Sequence, residues 1–135
     1  KMEKSENKTK SFRDLIVWQK AHALVLNIFQ QVKTFPEDQQ QMVGDYLCES
    51  AMAIATNIVG GYKKKDRDEK LLYLSAAQDA LEECRYYIIL ATDLSLLDTF
   101  NAEDLENAIG EASFLLNSYV KSIQRRKEDD ERVEI

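Results

Sequence analysis

One histidine, two cysteines and a scatter of carboxylates are the residues of this chain that could make or break bonds, and their spacing argues against each chemistry in turn. A di-iron site in a helical bundle needs Glu-x-x-His pairs and carboxylates from facing helices. The sole histidine, His22, has Gln19 at that spacing and no glutamate. Two distant cysteines and one histidine make no zinc pattern. Cys48 and Cys84 lie in apolar helical patterns, so they read as buried thiols of a reducing cytosol rather than nucleophiles. A Cys48–Cys84 disulfide is the alternative, should the second and third helices face each other. Gly60-Gly61 lacks the remaining positions of a phosphate-cradling loop. Asp79 and Glu82-Glu83 read as a solvated or interface-facing run, and His22 as a partly buried helical residue. The expectation is therefore no catalytic, metal or cofactor site, no cofactor and no small-molecule substrate.

Contact with phosphate is the chemistry that remains. A net charge of −6 makes a poor general nucleic-acid binder unless positive charge is gathered in one place. Residues 1–13, 63–70 and 121–127 together hold fourteen Lys or Arg against five Asp or Glu, a local charge of +9. Residues 128–135 carry −4 and the remainder −11. The candidate contacts are Lys63, Lys64, Lys65, Arg67, Lys121, Arg125, Arg126 and Lys127. The plainer alternative is a solvated cap, partly neutralised by the acidic stretch Glu128 to Glu134.

Bringing those segments together is a task for the fold. The chain of 135 residues fits one domain, is 44% hydrophobic and 31% charged, and has only 4 Gly and 1 Pro, which favours long helices over the many turns of a β fold. No apolar run approaches the roughly 20 residues that span a bilayer, and the first ten residues lack the apolar centre of a signal peptide. Four helices can be read. The first runs from about Asp14 to Lys33, with Ser11 and Asp14 spaced as a capping box and Leu15, Trp18, Ala21 or His22, Val25, Ile28 or Phe29, and Val32 inward. Phe35-Pro36 breaks it. The second runs from about Glu37 to Val59, with Met42, Tyr46 or Leu47, Ala51, Ile54 and Ile58 inward and Gly60-Gly61 as the stop. The third opens on Asp66 and Glu69 and continues to about Leu94; the fourth is capped by Asn101 and Asp104 and carries Leu105, Ala108 or Ile109, Ala112, Leu115 or Leu116, Tyr119 and Ile123. Matched long helices with short connections predict an all-α, antiparallel up-down-up-down four-helix bundle over residues 12–124. A flexible basic segment, 1–11, precedes it, and a charged tail, 125–135, follows. In that topology the three basic segments share one end.

The third helix has more apolar surface than one core needs. At about 100° per residue, Leu74, Ala77, Leu81, Cys84 and Ile88 form one stripe, and Leu72, Ala76, Tyr87, Leu90 and Leu94 a second, about 120° away. Glu83 projects into the second stripe, where a cross-subunit Arg, Lys or hydroxyl is the expected partner and simple solvent exposure the alternative. A second subunit is the expected cover; the alternative is that this helix is simply the most central.

Three segments, Phe12 to Ala21 (FRDLIVWQKA), Phe35-Pro36 and Ala51 to Tyr62 (AMAIATNIVGGY), resemble the bacterial 23S rRNA intervening-sequence protein family, also called S23 ribosomal proteins. Leu74 to Glu83 is similar to the family's third-helix motif, and the likeness covers roughly residues 12–123. The resemblance implies an antiparallel four-helix bundle assembling as a homopentamer, without enzymatic activity. A related group serves as accessory proteins of retroelement reverse transcriptases, for which nucleic-acid binding is proposed. Where the family usually has two arginines, this chain has Cys48-Glu49, which weakens any RNA-binding inference carried over from relatives. Gly60 replaces a usual Glu and Ala55 a usual Pro, while Glu83 matches a family glutamate. The expectation from residues and resemblance together is a cytoplasmic, non-catalytic, homo-oligomeric scaffold or adaptor touching RNA or a nucleoprotein through its basic pole. A purely protein-binding module without nucleic-acid affinity is the alternative.

Overall fold

The computed structural model describes the backbone of residues 9–134 and side chains through Arg126. Most of the basic segment 1–11, the Lys127 side chain and the side chains of the acidic tail lie outside the described residues. Four long helices account for most of what is described, and no strand occurs among those residues. Helix α1 spans Ile16–Val32, preceded by a 3-10 turn, Phe12–Asp14. Helix α2 is composite: a short turn Glu37–Gln39, a π-helical turn Gln40–Gly44, then Asp45–Lys63. Helix α3 spans Arg67–Asp93 and α4 spans Thr99–Glu134. They pack as a four-helix bundle in which α1 and α3 each lie against both α2 and α4. No helix among the described residues is long and apolar enough to cross a membrane.

Side chains that meet across the helices fix their pairing. Lys20 reaches Glu111 at 3.5 Å and Asn27 reaches Asp104 at 3.1 Å, so numbers that rise along α1 meet numbers that fall along α4. Gln78 donates to Asn117 at 2.9 Å between α3 and α4. Tyr46 stacks on Tyr87 near one end of the α2–α3 pair, and Gly60 abuts Tyr73 near the other. Between them Leu24, Ile28, Leu47, Ile54, Ile58, Leu74, Leu81, Ile88, Leu105, Ile109, Leu116 and Ile123 are fully buried. Removing each such side chain from water stabilises the fold by about 1.5–3 kcal/mol before entropy is counted.

Several local expectations need correction. Ser11 and Asp14 close the 3-10 turn rather than cap α1: Ser11 Oγ accepts from the Arg13 N–H at 3.1 Å, and Asp14 accepts from the Lys10 N–H at 2.9 Å. The inward face of α1 is Val17, Ala21, Leu24, Ile28 and Val32, leaving Trp18 and Val25 at its edge. His22, about 100° round from Ala21, is exposed and stacks on Trp18 with centroids 5.0 Å apart. In α2 the inward face is Val43, Leu47, Ala51, Ile54 and Ile58, at regular three- and four-residue steps, so of Tyr46 and Leu47 it is Leu47 that points inward, and Met42 is exposed. Gly60-Gly61 do not stop the helix. A Cβ on Gly60 would lie 2.7 Å from the Tyr73 ring, and one on Gly61 would lie 3.2 Å from Tyr73 Cβ, so these glycines let α3 approach α2 closely. The stop falls at Lys64, whose backbone is extended. Asp66 does cap α3, accepting from the Glu69 N–H at 2.9 Å. At α4 the cap is Asp98, which accepts from the Asn101 N–H at 2.7 Å, while Asp104 turns to Asn27 instead.

The second stripe of α3 is unevenly covered within one chain. Leu72 is 71% exposed and Leu94 50%, and Glu83 is exposed, whereas Ala76, Tyr87 and Leu90 are half-buried. Tyr46 supplies part of that cover, its ring 5.5 Å from Tyr87, with Tyr86 edge-on at 5.6 Å.

Candidate nucleic-acid interface

The α2–α3 connection is short because two opposed requirements meet there. Helix α2 must end, and its last carbonyls need donors. Lys70, one turn into α3, supplies them: its ammonium donates to the carbonyl oxygens of Gly61 at 2.9 Å and Tyr62 at 3.0 Å. The side chain is only 7% exposed, and its charge sits at the negative end of the α2 dipole. Its Nζ is also 5.7 Å from the centroid of the Tyr62 ring. The Tyr62 hydroxyl shares a 2.6 Å hydrogen bond with Thr9 Oγ1, tying the start of the described chain to this end of the bundle.

Around that anchor the turn fans out its charges. Lys63 ends α2, Lys64 and Lys65 cross to α3, and Arg67 opens it. Lys64 Nζ lies 5.2 Å over the Tyr73 ring and 3.8 Å from Glu69. Both members of that ion pair are substantially exposed, so it holds Lys64 weakly. From α4 come Ile123 and Arg126, and these side chains with Tyr62 and Lys70 line a groove of about 330 Å³. Six of its eight lining residues are cations and none is a carboxylate. The volume is at the lower end of the roughly 300–1,000 Å³ typical of small-ligand sites.

Of the residues singled out from sequence, Lys63, Lys64, Lys65, Arg67 and Arg126 come together in this groove. Lys121 and Arg125 are exposed on α4 and do not line it, and the Lys127 side chain lies outside the described residues. Sequence reasoning missed Lys70 and Tyr62 as groove residues. A signal for both existed: Lys70 lies four residues before Leu74 on the buried stripe of α3, and Tyr62 four after Ile58 on that of α2.

A second groove, of about 300 Å³, lies between the end of α3 and the start of α4, lined by Ile89, Thr92, Asp93, Thr99, Ala102, Glu103 and Glu106. The molecule thus has an acidic groove at α3's C-terminal end and a cationic one at its N-terminal end. Cys48 and Cys84 are free thiols. Burial pushes Cys84 up to about 11, and burial, with Asp45 nearby, raises Cys48. Among the described residues no three His, Cys, Asp or Glu are grouped so as to hold a metal ion.

The family model described as 23S rRNA-intervening sequence protein matches residues 13–118. A protein of unknown function from the S23 ribosomal protein family of Bacteroides thetaiotaomicron has a similar structure, with a TM-score of 0.73 at 20% sequence identity. The alignment covers 78% of this chain and 99% of that one, a likeness of fold. No curated protein matches the sequence.

Proposed function

Because the chain belongs to the 23S rRNA-intervening sequence protein family, we propose that it is a non-catalytic, cytoplasmic scaffold or adaptor that contacts RNA, free or within a nucleoprotein, through the groove at its basic pole. The observation that carries this reading is the lining of that groove, six cations with no carboxylate among them. Lys70 among them holds the end of α2, and in an acidic chain the other five concentrate a positive field that attracts phosphate. The helices alternate in direction, up-down-up-down, a topology supported by the opposed numbering of the Lys20–Glu111 and Asn27–Asp104 contacts. That alternation is what gathers the α2–α3 turn and the far part of α4 at one end. The chain assembles with copies of itself, as a pentamer, through the exposed stripe of α3; the exposure of Leu72 and Leu94 supports this.

Binding measured against salt tests the reading. A single-stranded RNA should bind at low salt, and engaging about five phosphates should weaken its affinity about a hundredfold between 50 and 200 mM salt. Replacing Lys63, Lys64 and Lys65 by Glu together should abolish the interaction. No binding at low salt would refute the reading. It would leave the second one, a protein-binding module, which draws on the acidic groove of Asp93, Glu103 and Glu106.

A further inference from the structure

The cations of the basic groove differ in burial, and that difference decides which anion suits them. Lys70 is buried and held by the Gly61 and Tyr62 carbonyls. Lys64, Arg67 and Arg126 are half-buried, and Lys63 and Lys65 are exposed. The apolar members of the lining have little to offer a ligand. Ile123 is buried in the core at 2% exposure, and the Tyr62 ring is covered by Lys70 at 5.7 Å and tied through its hydroxyl to Thr9. A ligand in the groove is therefore read by charge and hydrogen bonds alone. The half-buried cations come from the end of α2, the start of α3 and α4, and they meet around one depression of about 330 Å³. Partly withdrawn from water, their mutual repulsion is screened less than at an open surface. An anion placed among them relieves it, and relieves it more the more charge it carries in a small volume. The first turn of α3, the positive end of its dipole, adjoins the same depression.

We infer that the groove takes a terminal phosphate monoester, the phosphorylated end of an RNA strand, in preference to the phosphodiesters along it. This rests on the reading of the basic pole as an RNA contact, and adds to it a discrimination between phosphates of different kinds. A diester carries one negative charge and has two free oxygens. A monoester near neutral pH carries about −1.5 to −2 and presents three. A guanidinium grips phosphate through two parallel N–H···O bonds, so the two arginines and Lys64 have more donors than a pair of oxygens can align. The third oxygen and the second charge give those donors a further acceptor. Size points the same way. An internal phosphate brings a nucleoside on each side of it, whereas a strand's end enters a depression at the lower end of the small-ligand range by itself. No base is held, so the preference does not depend on sequence.

The experiment compares RNA ligands on the unaltered full chain, so it does not depend on any variant folding. Affinities are measured at one salt concentration for a 12-nucleotide strand with a 5′-phosphate, the same strand with a 5′-hydroxyl, and a 13-nucleotide 5′-hydroxyl strand. The last matches the first in number of phosphates and separates the kind of phosphate from the amount of charge. The phosphorylated strand should bind about tenfold tighter than either hydroxyl strand, the effect of one further charge-assisted hydrogen bond, and a second sequence should give the same ratio. A free nucleoside monophosphate should compete for the site more weakly than the strand; binding as tight as the strand's would show that RNA is not the ligand and overturn the inference. In a companion measurement Arg126→Lys, which keeps the charge and removes the fork, should reduce the ratio to about twofold. Equal binding of the phosphorylated strand and the longer hydroxyl strand would overturn the inference while leaving the basic-pole contact standing. Absence of binding by every strand would overturn both.

Discussion

Lys70 is the residue on which the basic end is built, and it does its work by being withdrawn from solvent. An ammonium buried without acceptors would be costly, but two helix-terminal carbonyls, at 2.9 and 3.0 Å, accept from it. Replacing Lys70 by Met keeps the length of the stem and removes both donors. The expected result is a loss of about 1–3 kcal/mol in a urea titration, whereas Lys65→Met, an exposed neighbour, should change stability by less than about 0.5 kcal/mol. Cys84 makes a second residue-scale prediction. Its thiol is raised from 9.0 to about 11, chiefly by burial, so the folded chain keeps a proton that the unfolded chain gives up first. Stability from this group is intact below about pH 9. It declines as pH rises from there to about 11, by up to roughly 1.4 kcal/mol per pH unit. Urea midpoints between pH 8 and 10.5 should show that slope, and Cys84→Ala should flatten it. Sequence showed that Cys84 sits on the core stripe. It did not show Lys70 inward, because a lysine ordinarily counts toward the solvated face, and only the geometry of a helix end makes it an interior donor.

At the scale of elements, the existence and order of the helices were legible because apolar spacing of three and four residues persists over long stretches. Their ends were less so. Gly60-Gly61 carried the composition of a stop and the function of a close contact, and which applies depends on a neighbour, Tyr73, that local sequence cannot place. The π turn over Gln40–Gly44 had no signature either. Two glycine substitutions separate the effects. Gly60→Ala should destabilise by about 1–3 kcal/mol despite alanine's better helix propensity, since its Cβ would meet the Tyr73 ring at 2.7 Å. Gly110→Ala, with nothing within 4 Å of the new Cβ, should stabilise by about 0.5–1 kcal/mol. Thermal melts of the two variants should therefore shift in opposite directions.

For the whole molecule, sequence anticipated a concentration of charge and a surplus of apolar surface, and both depend on helix pairing rather than on any single segment. Lys63, Lys64, Lys65 and Arg67 are neighbours in the chain, but Arg126 joins them only because α4 returns to the same end. Lys121 and Arg125, close to Arg126 in sequence, turn away from the groove because helical periodicity places them on other faces. Self-association is tested on the most exposed residue of the second α3 stripe: Leu72→Glu, with Leu94→Glu as a second variant. Light scattering should show a multimer for the unaltered chain and a smaller species for the variants, with helical circular dichroism unchanged. A monomer at all concentrations of the unaltered chain would refute self-assembly. One more consequence lies in Tyr73. A stiff aromatic plate is wedged at the foot of the α2–α3 hairpin, flush with bare glycine backbone on one flank and beneath the Lys64 ammonium on another. The thickness of that plate sets how far apart the two rods stand, and hence the height at which the lysine triplet leaves them. A leucine in its place would keep every charge, yet the rim would sag, so the stance of the lysine triplet is set here by a shim rather than by a cation.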